Sequence, residues 1–145
     1  MINNFMEAAI QEALKADLDV PVGAVVVRHG KIISKAHNTR EKDNDVTAHA
    51  EILAIRRAEQ VLNNWRLEDC DLYVTLEPCP MCGWAVLQSR IRNLYFGSYD
   101  VNYGAFCSKF NLRKLAVGSK LKVYGGIKEY ECDNLLRSFF EKLRD

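Results

Sequence analysis

The spacing of apolar residues divides this 145-residue chain into alternating helices and strands. Apolar side chains that recur every three to four positions predict helices, whereas short β-branched runs between turn residues predict strands. The predicted helices cover about 5–14, 48–62, 80–89 and 130–143. The predicted strands cover 22–27, 31–37, 72–76, 91–96 and 121–124. One hairpin followed by strands that alternate with helices predicts an α/β fold, with a mixed sheet covered by helices on both faces.

Turn and capping residues set the expected boundaries of these elements. Pro21 is expected to end the first helix, and His29-Gly30 is expected to join the first two strands as a hairpin. Residues 38–46 are polar and are predicted to form a loop, with Thr47 as the N-cap of the second helix. The length fits one domain, residues 1–145, with enough chain to bury a core.

Composition narrows the class of protein. The formal net charge is +1, which excludes a protein that coats nucleic acid through overall basicity. The five cysteines are odd in number and two form a C-x-x-C, which favours a reducing compartment and a metal over a disulfide framework. No apolar run approaches the roughly 20 residues of a membrane span, and the N-terminus lacks the pattern of a secretion signal. A cytoplasmic protein is expected.

Three residues form a candidate zinc site: His49, Cys79 and Cys82. The two cysteines are three positions apart, so one helical turn places both sulfurs on the same side. The predicted helix start at Pro80 also favours thiolate over thiol. Three protein ligands plus an open position are typical of catalytic zinc, whereas a structural site has four ligands. A C-x-x-C alone is shared by redox pairs and structural zinc sites, and His29 and His37 are the other histidines.

Glu51 is the candidate proton carrier. Residues two apart on a helix point roughly 200° apart, so Glu51 is not expected to bind the metal as His49 does. It is expected to move protons while water adds to an amino-bearing ring carbon and ammonia leaves. The alternative role is that of an acidic residue that complements the helix dipole. The order H-x-E…P-C-x-x-C is the signature of zinc nucleobase deaminases.

The chain resembles the bacterial tRNA-specific adenosine deaminases of the cytidine deaminase superfamily over nearly its whole length. The matching segments are 20–25, Asn38, 47–52, 72–79, Met81-Cys82, 89–91, Phe96-Gly97 and Phe139-Phe140. The resemblance implies a three-layer α/β/α sandwich with a mixed five-stranded sheet. It also implies one zinc ion per subunit, a homodimer, and conversion of the wobble adenosine in an arginine tRNA anticodon stem-loop to inosine.

The same resemblance implies a role for each site residue. His49, Cys79 and Cys82 would bind zinc, and Glu51 would carry protons. Asn38 matches a residue that contacts the target base, although a loop asparagine also caps turns. Asp100 matches a residue that touches the nucleotide sugar, although aspartate suits any turn.

The chain departs from the family pattern after Asp100. The family usually continues Thr-Gly-Ala and small residues, whereas this chain has Asn102-Tyr103-Gly104-Ala105-Phe106. Residues 101–128 contain no acidic residue and carry Lys109, Arg113, Lys114, Lys120, Lys122 and Lys128. Such a local cationic segment can meet phosphates although the whole chain is near neutral. Phe106 and Phe110 either stack on bases or pack into the core.

Three other functions remain open from the sequence. The same chemistry could act on a free base or nucleotide, such as guanine or cytosine, and salt-sensitive RNA binding would argue against that substrate. A noncatalytic zinc-binding partner subunit is expected to lack the proton carrier, and Glu51 is present. A thiol redox protein would use Cys79 and Cys82, and zinc that survives mild oxidation would argue against it.

Overall fold

The protein alternates strands and helices as its apolar pattern predicts. The computed structural model describes residues 1–144. The elements are α1 (Ile2–Ala13), β1 (Gly23–Arg28), β2 (Lys31–His37), α2 (Arg40–Asp43), α3 (Ala50–Leu62), β3 (Cys70–Leu76), α4 (Pro80–Gln88), β4 (Asn93–Ser98), a 3-10 turn (Leu112–Lys114), β5 (Lys122–Tyr124) and α5 (Glu129–Arg144). None of these helices is both long enough and apolar enough to cross a membrane.

The five strands form one mixed sheet in the order β2-β1-β3-β4-β5. β1 pairs antiparallel with both β2 and β3, and β3–β4 and β4–β5 are parallel. The β1–β2 hairpin turns at His29 and Gly30, which both have positive φ (51° and 75°). Positive φ at both central residues is the type I′ geometry that matches the twist of two-residue hairpins. The predicted mixed sheet and its hairpin are confirmed.

Alternation along β1 separates two apolar layers. Ala24 and Val26 belong to the core beneath α3 and α4, whereas Val25 and Val27 belong to the core beneath α1 and α5. Because successive strand side chains point to opposite faces, an uninterrupted apolar strand requires cover on both sides. The three-layer α/β/α arrangement is therefore confirmed.

The ends of three strands meet at one edge of the sheet. The pairs Gly23–His37 and Ala24–Val74 place the end of β2 and the end of β3 beside the start of β1. β4 runs parallel to β3, so its end lies at the same edge. The segments that begin at Asn38, Glu77 and Tyr99 therefore emerge together. Such an edge is where ligands bind in open α/β sheets.

Three local predictions of secondary structure are wrong. The first helix ends at Ala13, well before Pro21, because the following residues form tight turns through Asp17, which has a φ of 56°. The predicted 38–46 loop contains the short α2. The N-cap of α3 is His49 and not Thr47, whose hydroxyl bonds Asp45 instead. These differences follow from local hydrogen bonds that apolar spacing does not report.

Glu12 on α1 makes a hydrogen bond with His37 on β2, so its replacement tests how α1 is held against the sheet. Its buried carboxylate accepts hydrogen bonds from Lys15 Nζ at 2.6 Å and His37 Nδ1 at 3.1 Å. Burial alone would raise its pKa, but these hydrogen bonds outweigh burial and lower the pKa below 4.5. A carboxyl with a lowered folded pKa stabilises the fold above its unfolded pKa and stops doing so as the pH falls through the folded value.

We therefore expect Glu12→Gln to lower the free energy of unfolding at pH 7 by about 1–3 kcal/mol. The difference from wild type is expected to shrink as the pH falls below 4.5. Urea unfolding at a series of pH values measures both effects. A difference that is independent of pH would show that the charge of Glu12 is not its source.

Candidate active site

His49, Cys79 and Cys82 meet where α3 and α4 begin. His49 and Cys79 are the N-cap residues of the two helices and both have extended backbone. Cys82 lies in the first turn of α4. His49 Nδ1 lies 3.8 Å from Cys79 Sγ and 3.4 Å from Cys82 Sγ. All three ligand atoms lie within 4.8 Å of one another, so the sequence prediction that these residues converge is confirmed.

The geometry of this cluster fits a zinc ion. Zinc bonds to sulfur and to imidazole nitrogen, at tetrahedral angles, place S and N about 3.6 Å apart. The observed S–N distances lie on either side of that value. Within residues 1–144 no fourth histidine, cysteine or carboxylate joins the cluster. Three protein ligands that leave one position open match the catalytic pattern and not the closed structural one.

The two sulfurs and the imidazole shift one another's pKa. A hydrogen bond from the Cys82 thiol, together with the contact to His49, lowers the pKa of Cys79 to about 4. The same hydrogen bond and burial raise the pKa of Cys82. The contact with Cys79 raises the pKa of His49. Metal binding needs both thiolates and a neutral imidazole, and would therefore release protons.

Glu51 lies beside this cluster but outside it. It is the second residue of α3, and its side chain is buried in the wall of the same cavity as His49 and Cys79. Burial raises its pKa to about 7. A group that must both accept and donate protons works best when its pKa is near the working pH. Its place in the cavity wall and its raised pKa therefore suit proton transfer.

The cavity next to the cluster has a volume of about 440 Å³. This is within the usual size range of small-molecule sites. Its walls come from the segment before β1, the three segments at the sheet edge, the start of α3, and α5. The lining residues are Val20, Val22, Asn38, Arg40, His49, Glu51, Leu76, Glu77, Cys79, Tyr99, Asp100, Val101, Asn102, Tyr103, Leu136 and Phe140.

Asn38 lies in the cavity wall, but backbone groups hold its side chain. Its Nδ2 donates to the Val20 carbonyl at 3.0 Å, and its Oδ1 accepts from the Ala50 N–H at 2.8 Å. The second bond satisfies an amide at the start of α3. An amide side chain has two N–H donors and two acceptor sites, so one of each remains for a ligand.

Asp100 also lies in the wall, at the end of β4. Its Oδ1 accepts from the N–H groups of Asn102 and Tyr103, both at 3.1 Å, and so forms a turn. The other carboxylate oxygen is free of hydrogen bonds within residues 1–144. Asp100 therefore forms the turn that its residue type suits, and one of its carboxylate oxygens remains available to a ligand.

The basic segment after Asp100 is largely solvent-exposed. Lys109, Lys114, Lys120 and Lys122 are exposed, whereas Lys128 forms an ion pair with Glu7 at 3.6 Å. The two phenylalanines differ. Phe106 is only 2% exposed, so the base-stacking alternative is wrong for this residue because it packs in the core beside α4. Phe110 is 45% exposed.

Two residues of this site were not identified from the sequence. Arg40 contributes a guanidinium to the cavity wall and is held by buried Asp19 at 3.3 Å. Glu77 is a buried carboxylate at the end of β3. An acidic residue at the end of an apolar strand, directly before Pro78-Cys79, is a signal that could have drawn attention to Glu77. No local pattern marks Arg40, because its neighbours come from a distant segment.

Known proteins share both the sequence and the fold of this chain. Residues 1–98 match the family model of the cytidine and deoxycytidylate deaminase zinc-binding region. The tRNA-specific adenosine deaminase of Bacillus subtilis is 45% identical over 143 residues, which cover 97% of this chain and 89% of that protein.

Two solved structures are also similar. One, from a study of A-to-I editing by tRNA:A34 deaminases at the wobble position, has 43% identity and a TM-score of 0.83. The match covers 92% of this chain and 99% of that chain. The guanine deaminase structure from Bacillus subtilis has 39% identity to this chain and a TM-score of 0.64. That match covers 66% of this chain and 63% of the other chain. This chain therefore belongs to the zinc-binding cytidine and deoxycytidylate deaminase family, within the group of tRNA-specific adenosine deaminases.

Proposed function

We propose that this protein converts the wobble adenosine of a tRNA to inosine, by adding water and releasing ammonia, and that an arginine tRNA is its substrate. The observation that carries the proposal is the convergence of His49, Cys79 and Cys82 beside the buried carboxylate of Glu51. The relatives named tRNA-specific adenosine deaminases support the choice of substrate, since they match nearly the whole chain.

His49, Cys79 and Cys82 would hold the zinc ion. When bound there, zinc supplies a Lewis acid that lowers the pKa of water at its open position. Glu51 would accept one proton from a water molecule as its oxygen forms a bond to C6 of the adenine, and would pass that proton to the ring nitrogen. Glu51 would then take the remaining proton of the added hydroxyl and give it to the amine, so that the C6–N bond breaks, a carbonyl forms and ammonia leaves.

The other proposed contacts orient the nucleotide. Asn38 has one free N–H and one free acceptor site for the edge of the base. Asp100 has one free carboxylate oxygen for the sugar. Because both side chains are fixed by backbone hydrogen bonds, the nucleotide would meet a preformed wall. Deaminases of this kind act on a base that is taken out of the stack, and a 440 Å³ cavity can enclose one base and its sugar.

Deamination of a free base is the second candidate. The similarity to a guanine deaminase structure favours it, although that match covers only 66% of this chain. Two features support RNA instead: the exposed lysines of 109–122 and the Arg40 guanidinium in the cavity wall. A free base carries no phosphate for these cations to bind.

We further propose a cytoplasmic homodimer of single-domain subunits. Support for a second copy comes from α4, where Met81 and Trp84 are exposed apolar side chains. Such side chains are enriched where protein surfaces associate. Sedimentation velocity at micromolar protein would distinguish a dimer from a monomer.

The test of the proposed function is conversion of the anticodon stem-loop of an arginine tRNA by zinc-loaded protein. Adenosine-to-inosine conversion at the wobble position supports the proposal. Free adenosine, guanine and cytosine serve as competing substrates in the same assay. Conversion of a free base, with none of the stem-loop, would instead establish the second candidate.

Arg40 provides a prediction that separates RNA from free-base substrates. We expect Arg40→Gln to raise KM for the stem-loop and to reduce the slope of log affinity against log salt by about one, because one phosphate contact is lost. The matched control is Arg66→Gln, an exposed arginine beyond the opposite end of α3. Equal salt slopes for Arg40→Gln and wild type would show that Arg40 does not meet a phosphate.

A further inference from the structure

Glu77 is a buried carboxylate that no cation neutralises. It is 1% exposed, and no lysine, arginine or histidine nitrogen of residues 1–144 lies within ion-pair distance of it. A buried charge without partners is costly, so something else must stabilise it. That role falls to one loop, residues 100–108.

Five donors from this loop surround the carboxylate. Oε1 accepts from the Asp100 N–H at 3.1 Å and from the Ser108 hydroxyl. Oε2 accepts from the N–H groups of Phe106, Cys107 and Ser108, at 3.2, 2.8 and 3.0 Å. A carboxylate offers about four acceptor sites. Glu77 therefore has no capacity left for a substrate and is not a catalytic residue.

The loop is fitted around the carboxylate at two further points. The Ala105 N–H donates to the Pro78 carbonyl at 2.9 Å, directly beside Glu77. A side chain at Gly104 would collide with the Glu77 carboxyl group, so only glycine allows this approach. The ends of the loop, at Asp100 and Ser108, and its middle are thus all tied to the segment that leads into Cys79.

The first half of this loop forms part of the substrate cavity. Asp100, Val101, Asn102 and Tyr103 line the cavity. The chain links Glu77 to Cys79 through Pro78 alone, and the hydrogen bonds link Glu77 to the loop. One carboxylate therefore sets the distance between the cluster of metal-binding residues and the wall that faces it.

From these contacts we propose that Glu77 is a positioning residue, which holds the 100–108 loop as a preformed wall of the substrate pocket. The inference rests on the proposed function, because the wall is the one that would meet the nucleotide. Because the loop is already ordered in the folded protein, substrate binding does not have to supply the entropic cost of ordering it. Loss of Glu77 should therefore weaken binding more than it slows the chemical step.

The test is Glu77→Gln, whose amide nitrogen would face donors in place of an acceptor. We expect KM for the stem-loop to rise at least about tenfold while kcat stays within about threefold. Bound zinc is expected to stay at the wild-type level. The amides of Phe106, Cys107 and Ser108 are expected to exchange hydrogen at least about tenfold faster than in wild type.

Two other variants keep the test decisive. Glu12→Gln removes a buried carboxylate outside the cavity and is expected to lower stability without changing KM. Ser108→Ala removes one donor and leaves the four N–H groups, so it is expected to raise KM by only about two- to fivefold. If Glu77→Gln does not fold, Ser108→Ala with the exchange measurement carries the test.

Three different outcomes would contradict the proposed role of Glu77. Unchanged KM and unchanged amide exchange would overturn the proposal, as would a fall in kcat with KM unchanged. Loss of zinc from Glu77→Gln would assign the residue to the metal centre and not to the loop. The exchange measurement needs no substrate, so it remains informative even if wild-type protein fails to convert the stem-loop.

Discussion

Glu51→Gln is expected to reduce kcat on the anticodon stem-loop by about a thousandfold or more, while zinc remains bound. Glutamine keeps the size of the side chain but cannot accept and return a proton. Proton transfer by a positioned side chain contributes roughly 10²–10⁴-fold to a rate. Glu51 would serve several proton transfers in one cycle, which places the loss toward the upper end of that range.

Stability provides a second readout for the same variant. Glu51 is 4% exposed, and burial disfavours its charged form, as its raised pKa of about 7 indicates. A neutral amide avoids that cost. We therefore expect the melting temperature of Glu51→Gln to equal or exceed that of wild type. Such an increase would fit the common trade of stability for activity at catalytic sites.

Single-turnover kinetics and zinc content measure these effects together. Glu59→Gln is a matched control on the same helix, about two turns from the cluster. It is expected to keep wild-type kcat. Wild-type kcat in Glu51→Gln would refute the proton-carrier role, and loss of zinc from that variant would make Glu51 part of the metal site instead.

Cys82→Ala is expected to lower bound zinc from about one ion per chain to less than about a tenth, with activity falling below detection. In the proposed metal centre three residues would hold the ion, so removal of one would leave only His49 and Cys79, which is too few for a stable site. The ion also binds the folded state preferentially, so its loss is expected to lower the melting temperature.

Chelation should reproduce this result in the wild-type protein. A strong chelator is expected to abolish activity, and added zinc is expected to restore it. Cys107→Ala is a matched control, because Cys107 is an exposed cysteine outside the cluster. Zinc content by mass spectrometry, together with the conversion assay, measures each effect. Full zinc content in Cys82→Ala, or activity that survives chelation, would contradict the proposed metal centre.

Most of the fold followed from short-range pattern. All five predicted strands are present, because β-branched runs between turn residues report local backbone preference and burial together. The His29-Gly30 turn was readable for the same reason. The predicted N-cap of α3 failed because of side-chain hydrogen bonds: Asn38 accepts from the Ala50 N–H, and Thr47 stays outside the helix start. The predicted end of the first helix failed because backbone turns follow Ala13.

The sequence by itself determined the chemistry of the site. Cys79 and Cys82 are three positions apart at a helix start, and His49 and Glu51 are two apart at another. Local geometry places both cysteine sulfurs on one side of their helix and points Glu51 away from the direction of His49. Ligand type selected zinc.

Only the tertiary structure decided how the substrate pocket is built. Phe106 lies in the core and Phe110 on the surface, although both belong to the same basic segment of the sequence. An ion pair with Asp19 holds Arg40 in the cavity wall. Glu77 accepts hydrogen bonds from a loop that begins 23 positions later in the chain. Such contacts join residues that are distant in sequence, and their geometry depends on the packing of the whole sheet. Local periodicity carries no information about them, because it reports which face a residue occupies and not what it meets there.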